Sequence, residues 1–421
     1  MARGKLEGYE FWKWIGAPRY VLAPMVDGSD VSYRMLCRRY GVTLCYTPMI
    51  VASSFLWDSA YREEVFGTAE EDKPLFAQIC GDDVEAMVKV AKTIEKSCDA
   101  VDVNFGCPQK YAKRAHYGAY LQDEWDLIRK IVSTLHSCLE VPVTAKFRKQ
   151  FSTDRTVGLA RLLEESGAQV ICMHGRTRKQ KGAKTGEADW EEIRIAREAV
   201  HVPFIANGSI RSLEDAEECL RITKADAVMS GEGLRRCPAL FYSPSSLSDI
   251  DSSFSSSSCW SVGKPFSEAS NGHTRGIGYA LEYLDLCGKY CTPLDVVKEH
   301  VHRMLLSDLT TPAATFKSFD TKRGRRHWAK GKEEEKTRSL LETHWDVREK
   351  MMDAHSVEEV RDLMGMLKGR VLTDTPPPPR PARHEPQAEE EDGLDGSILF
   401  GEEEASCSNE GAEDELFSGD Y

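Results

Sequence analysis

A lone thiol stands where an apolar run ends. Residues 101–117 read VDVNFGCPQKYAKRAHY, and Cys107 is followed by a proline and then by Lys110, Lys113, Arg114 and His116. An unperturbed cysteine, with a pKa of about 8.5, is largely protonated at neutral pH and can serve as a general acid. Cations pressed against the sulfur would make it a thiolate, so these charges belong beside the chain and away from the thiol. Other apolar runs end in comparable groups: Pro24, Met25 and Val26; Gln78; Asn104 just before Cys107; Lys146 and Arg148; His174 and Arg176; Asn207, Gly208 and Ser209; Gly231, Glu232 and Gly233. Taken singly, a strand-end lysine is usually solvated or paired, and a lone histidine is usually structural. Polar groups ending so many greasy segments are costly to bury without partners, and a shared ligand is the economical explanation.

The elements that must carry these groups are short. Eight apolar runs recur at 20–25, 44–49, 75–80, 100–106, 141–148, 169–175, 202–209 and 227–232, with stretches of helical spacing between them. Most lack polar alternation, which suits parallel strands covered on both faces. Asp82 and Asp123 are plausible N-caps for two of the intervening helices. Eight β-α units in so short a span predict an α/β fold, a (β/α)8 TIM barrel over residues 1–242; a doubly wound open sheet is the competing architecture. In a barrel, strand C-termini meet at one mouth, so the polar ends above would converge.

Beyond residue 242 the texture changes. Residues 243–275 hold 13 serines in 33 positions and read as a disordered insertion or linker. Residues 276–372 read as a smaller all-α helical domain, with stripes at Leu294, Val297, Val301 and Leu305 and at Val357, Val360, Met364 and Leu367, and a capping box at Ser356 and Glu359. A basic insertion lies around 317–340, and 373–421 is a proline-rich, then acidic tail expected to be disordered. The net charge of −13 belongs to that tail. It holds 15 acidic residues against 2 basic ones, so positions 1–372 balance at 53 of each sign, and a basic face for nucleic acid is not excluded. Thirteen cysteines without a C-x-x-C pair, several in apolar runs (Cys45, Cys80, Cys98, Cys138, Cys172, Cys219), suggest reduced thiols in a reducing compartment and no metal. No signal-peptide pattern or membrane-length run is present, so a soluble intracellular protein is expected.

The loops ANGSI and SGEGL put small residues where barrels commonly hold a phosphate. No G-x-G-x-x-G follows a strand, so a Rossmann dinucleotide site has no support. A phosphate there, with Lys146 and His174 across the mouth, suits flavin mononucleotide (FMN): Lys146 would stabilise charge on the reduced ring and Gln78 would hydrogen-bond its edge.

These motifs together (APMVD, LCYTPM, NFGCPQKYAKRAHYGAYLQDEW, VPVTAKFR, HGRT, ANGSI and MSGEG, over about residues 8–240) resemble the dihydrouridine synthase family, and most closely its eukaryotic 16/17 branch. The resemblance implies reduction of the C5–C6 double bond of uridine in tRNA, with hydride from the flavin to C6 and a proton from Cys107 to C5. It implies that Pro24, Met25, Val26, Gln78, Lys146, His174, Asn207, Gly208, Ser209, Gly231 and Glu232 lie at FMN, and that Asn104 and Arg148 contact the uracil. It implies NADPH or NADH as transient reductant, tRNA as partner with residues 276–372 as its helical tRNA-binding domain, no membrane, a monomer, and a cytoplasmic location with a nuclear fraction possible. The readings that stay open beside it are a catalytically silent tRNA-binding barrel and a flavin barrel acting on a small pyrimidine. A target base must leave its stack to be reached, which costs least in a flexible RNA loop.

Overall fold

The computed structural model describes residues 5–181, 185–242, 272–306, 340–373 and 375–378. The serine-rich stretch, the core of the basic insertion and nearly all of the acidic tail lie outside these residues.

Nine strands form one all-parallel sheet: β1 (Tyr20–Leu22), β2 (Leu44–Tyr46), β3 (Ile50–Val51), β4 (Leu75–Cys80), β5 (Ala100–Phe105), β6 (Val143–Arg148), β7 (Ile171–His174), β8 (Phe204–Asn207) and β9 (Ala227–Ser230). Pairing of Cys45 in β2 with Leu75 in β4 closes the ring, so eight strands make a barrel and the open-sheet alternative falls away. Each of the eight apolar runs supplies one barrel strand. The exception to simple reading is the LCYTPM segment: Pro48 has no N–H to continue a ladder, and pairing resumes only at β3, which adds to β4 alone. Apart from Lys146 and the first residue of β1, every residue of the eight barrel strands is buried, as strands covered on both faces must be.

The helix Gly8–Trp14 covers the end where the strands begin. Phe11 stacks on Phe76 at 5.9 Å, Gly8 N–H donates to Gln169 Oε1 at 2.7 Å, and the Tyr9 hydroxyl donates to Asp226 at 2.9 Å. The opposite end is therefore the accessible one.

Two expected N-caps are displaced. Asp83 caps Val84–Ile94 by accepting from the N–H groups of Glu85 and Ala86, because the residue at the boundary is the one that reaches the second and third amides. Asp82, one position earlier, pairs with His116 instead. The helix Trp125–Cys138 starts after Glu124 without a side-chain cap, and Asp123 binds Arg155 and Arg178. Among the cysteines of the apolar runs, Cys138 is exposed and the others are buried.

After residue 271 the described chain is helical: Gly272–Tyr290, Leu294–Leu306, the single turn Leu340–Thr343, Trp345–Asp353 and Val357–Leu372. Gly272–Tyr290, joined by His300 of Leu294–Leu306, packs on Val31–Arg39, the first barrel helix: Tyr33 meets Tyr283 edge-on at 5.7 Å and stacks on His300 at 3.9 Å, and Tyr40 meets Tyr279 at 5.1 Å; Val357–Leu372 lies on Gly272–Tyr290. Half of the expected capping box forms: Ser356 Oγ accepts from Glu359 N–H, whereas the Glu359 carboxylate accepts from His355 N–H, one residue before the cap. Val297, Val301 and Leu305, and Val360, Met364 and Leu367, are buried.

Candidate active site

β5 delivers Asn104, Phe105 and then the turn that carries Cys107. Asn104 Oδ1 accepts from both Gly106 N–H and Cys107 N–H at 2.9 Å, so one side chain fixes the loop where the strand ends. The Cys107 carbonyl accepts from Ala119 N–H at 3.0 Å, which folds the loop back on itself. That return needs Gly118, whose φ is +67°; a Cβ there would lie 2.8 Å from the Cys107 carbonyl oxygen and 2.9 Å from its Cβ. His116 clamps the outer end of the loop between Asp82 at 2.8 Å and Glu124 at 2.6 Å. Lys110, Lys113 and Arg114 project from the short helix Lys110–Arg114 into solvent.

The thiol itself is 3% exposed and contacts Tyr111 Oη at 3.6 Å. Burial pushes its pKa up from the ordinary cysteine value; hydrogen bonds to Gln109 N–H and Tyr111 and the charges of Arg148 and Lys146 only partly oppose this. Cys107 is therefore a protonated thiol at neutral pH, with its basic neighbours on the surface helix.

One cavity at the mouth joins this loop to the other strand ends. Its walls are Ala23, Pro24, Asn104, Gly106, Cys107, Pro108, Lys146, Arg148, His174, Asn207 and Gly231. Strand register explains the convergence: Asn104 is paired with Lys146, Arg148 with His174, and His174 with Asn207. Lys146 Nζ donates to Asn207 Oδ1 at 3.0 Å, while Asn207 Nδ2 donates to the Met229 carbonyl. Arg148 donates to the carbonyls of Gly106, Thr177 and Gln180. Among the described residues neither Lys146 nor Arg148 has a carboxylate at ion-pair distance. Burial lowers the pKa of both, that of Arg148 to about 10, so Arg148 remains a cation at neutral pH.

His174 has the opposite character. Burial first, then Arg148, Lys146 and Arg176, hold it well below the usual imidazole range. Arg176 lies 3.2 Å from His174 Nε2 and has no acceptor to offer, so Nε2 accepts and the neutral ring carries its proton on Nδ1. Arg176 also donates to Ser209 Oγ at 3.0 Å. Gly208 sits between them with φ +115°, and a Cβ there would strike Ala188 and the His174 ring.

Under the cavity runs a chain of hydrogen bonds. Thr144 Oγ1 donates to Asp102 Oδ1 at 2.6 Å, Gln78 Nε2 to Asp102 Oδ2 at 2.8 Å, and Asn104 Nδ2 to Gln78 Oε1 at 2.8 Å. Register again sets this up, because Asp102 is paired with both Gln78 and Thr144. A carboxylate only accepts, so it dictates which end of the Gln78 amide faces Asn104 and hence which end of Asn104 faces the cysteine loop. Burial raises the Asp102 pKa to about 6, against the favourable bonds from Thr144 and Gln78.

Residues 21–272 match the family model described as dihydrouridine synthase (Dus). The chain belongs to the dihydrouridine synthase family. It is 41% identical over 303 residues to a tRNA-dihydrouridine(16/17) synthase [NAD(P)(+)]-like protein of Mus musculus, covering 71% of this chain and 58% of the relative. With the tRNA-dihydrouridine(16/17) synthase [NAD(P)(+)] of Saccharomyces cerevisiae it shares 45% over 242 residues, 56% of this chain and 57% of the relative. With a Homo sapiens tRNA-dihydrouridine(20a/20b) synthase [NAD(P)+]-like protein it shares 37% over 224 residues, 52% of this chain and 70% of the relative. The chain thus spans less than two thirds of the length of the 16/17 relatives.

Of the strand-end residues singled out in this dihydrouridine synthase chain, Pro24, Asn104, Cys107, Lys146, Arg148, His174, Asn207 and Gly231 share the cavity wall. Gln78 lies beneath it, fully buried, with each amide atom engaged inside the protein. Met25 is buried and Val26 packs in the cluster of Cys107, Met49 and Tyr117. Gly208 and Ser209 form the adjoining turn, and Glu232 turns its carboxylate to Arg236 at 2.8 Å. Asp102, Thr144, Tyr111 and Gly118 were not anticipated. For Asp102 a signal existed: a carboxylate in AVDVNF, two residues before Asn104 and so on the same strand face.

Proposed function

We propose that this chain reduces the C5–C6 double bond of uridine in the D-loop of tRNA, at positions 16 and 17, using FMN and NADPH or NADH. The observation that carries the reading is a protonated thiol, Cys107, sharing one cavity with the amine of Lys146, the cation Arg148 and the neutral His174. Support for the site choice comes from the higher identity to the 16/17 relatives than to the 20a/20b relative.

The donor set fits a flavin mononucleotide. Lys146 and Arg148 offer donors with no carboxylate at ion-pair distance among the described residues, and His174 offers Nδ1–H, its Nε2 edge being turned to Arg176 and Gly208. Lys146, His174, Asn207, Gly208, Ser209 and Gly231 would hold the group, with Pro24, Met25 and Val26 along its edge and Gln78 beneath. Glu232 would contribute through its backbone, since its side chain is turned to Arg236. When bound, the flavin supplies to C6 a hydride equivalent drawn from NADPH or NADH.

Cys107 delivers the proton. Its S–H bond breaks, a C5–H bond forms from the former C5–C6 π pair, and sulfur is left as thiolate. Arg148 and Lys146 stabilise that charge, and Tyr111, which is 37% exposed and in contact with the sulfur, returns a proton from solvent. Asn104 holds the loop that aims the thiol, and Arg148 faces the uracil. Lys110, Lys113 and Arg114 lie outside the thiol pocket and take RNA phosphates.

The decisive experiment is dihydrouridine formation on unmodified tRNA by wild type and Cys107→Ala. The wild type is yellow and active; the variant keeps its flavin absorbance and loses activity by about 10²–10⁴-fold. An active Cys107→Ala protein overturns the assigned acid, and a wild type inert on tRNA with bound flavin overturns the function.

A further inference from the structure

The loops that follow β5, β6 and β7 are tied together along one side of the mouth. Arg178 donates to the Ala119 carbonyl at 3.2 Å, and Lys181 to the Pro108 carbonyl. Asp123 joins Arg155 at 3.2 Å to Arg178 at 2.8 Å, and Arg178 lies over the Tyr120 ring. Arg155 in turn is placed between two aromatic rings, 5.3 Å from Trp125 and 5.1 Å from Phe151.

Phe151 is the residue this arrangement leaves unexplained. It stands three positions beyond Arg148, which lines the cavity, and it is 79% exposed. Most of its apolar surface stays in water, so core packing does not account for it. Its ring is nevertheless held by a guanidinium that is itself fixed by Asp123 and Trp125. A preorganised ring with cations around it suits a flat, electron-rich partner joined to negative charge, as an unpaired nucleobase is. Every base has a π face, and base-aromatic stacking works without hydrogen-bond readout. Nearby, Lys181 has its pKa lowered, by desolvation first, with the charges of Lys110, Lys113 and Arg148 adding to this, so positive charge is concentrated on the same side of the mouth.

We propose that Phe151, backed by Arg155, is a stacking platform for an unpaired base of the RNA substrate that flanks the target uridine. The proposal rests on the tRNA reading above and adds the route by which the strand leaves the mouth: over the β6 loop. A lipid surface or a protein partner fits less well, because a single ring sandwiched with a guanidinium offers one base-sized face and no wider apolar patch.

The test uses the full chain and an unmodified tRNA transcript, with binding and dihydrouridine formation measured separately. Phe151→Ala and Phe151→Leu each weaken tRNA binding by about tenfold, the size expected when one stacked base is lost, while Phe151→Trp stays within about twofold of wild type. Turnover at saturating tRNA is unchanged in all three, and so is thermal stability. Wild-type affinity in Phe151→Ala overturns the platform. So does Phe151→Leu binding as tightly as Phe151→Trp, which would mean a greasy contact and no stacking. A wild type that binds tRNA and forms no dihydrouridine overturns the function instead, and the affinity series then still decides the platform.

Discussion

At the scale of single residues, the buried carboxylate Asp102 sets stability and activity against each other. Its folded pKa, about 6, lies above the ordinary 3.8, because desolvation outweighs the bonds from Thr144 and Gln78. Between those values the native state holds a proton that the unfolded chain has released. The stabilising contribution is thus fully present below pH 3.8 and lost as pH rises through 6, a span worth about 3 kcal/mol. Asp102→Asn mimics the protonated form, so the variant gains stability relative to wild type as pH rises from 4 to 7, read from denaturant midpoints. It loses the group that can only accept, so the Gln78 and Asn104 amides can each sit either way round. Turnover therefore falls by about tenfold or more while the protein becomes harder to unfold. A midpoint difference that does not change with pH would show that Asp102 does not titrate as its burial requires. A second residue-scale outcome concerns Cys107: the proposed acid is the thiol and burial raises its pKa, so the alkaline decline in turnover is centred above the ordinary cysteine range. A decline below pH 8 would place a thiolate where the acid should be.

At the scale of elements, the cysteine loop depends on one backbone position. Gly118→Ala puts a Cβ into the Cys107 carbonyl and imposes a left-handed alanine, at a combined cost of about 1–3 kcal/mol. The loop shifts to accommodate it, so dihydrouridine formation falls much further than the stability loss accounts for, while flavin absorbance is retained. A variant with full turnover would show that the loop tolerates displacement of the thiol. The eight strands were legible because a strand buried on both faces leaves an unbroken apolar run, and their polar ends were legible because such groups are out of place there. The interior relay was not, since Gln78, Asp102 and Thr144 meet only through the register of three strands far apart in sequence. Local signals also missed the cap at Asp83 by one residue and gave no warning that Pro48 would split a strand in two.

At the scale of the whole molecule, the stripes on the later helices announced that they are packed but not what they pack on. Both lie on Gly272–Tyr290, which packs in turn on the first barrel helix, and the centre of that contact is titratable. His300 Nε2 lies 2.9 Å from Asp30, the cap of Val31–Arg39, its ring stacks on Tyr33, and Tyr283 Oη lies 3.4 Å from the same carboxylate. Among the described residues His300 Nδ1 is buried without a partner, so an imidazolium would leave a stranded N–H donor, whereas a neutral ring leaves only an acceptor. Burial correspondingly lowers the His300 pKa; Asp30 and Glu299 act the other way, and Arg235 acts with burial. With the folded value below the ordinary 6.5, the unfolded chain takes up the proton first as pH falls. The stabilising contribution is therefore complete above pH 6.5 and lost as pH drops toward the folded value. In denaturant unfolding of the full chain His300 should contribute a decline in midpoint from about pH 7.5 to about 5.5, opposite in sign to the contribution of Asp102. His300→Gln keeps a donor for Asp30 but cannot titrate and gives up the stack on Tyr33. It should start lower at neutral pH and follow a flatter line on acidification, bringing the two proteins closer together at the acid end. Parallel lines for wild type and variant would mean that His300 does not supply the pH dependence.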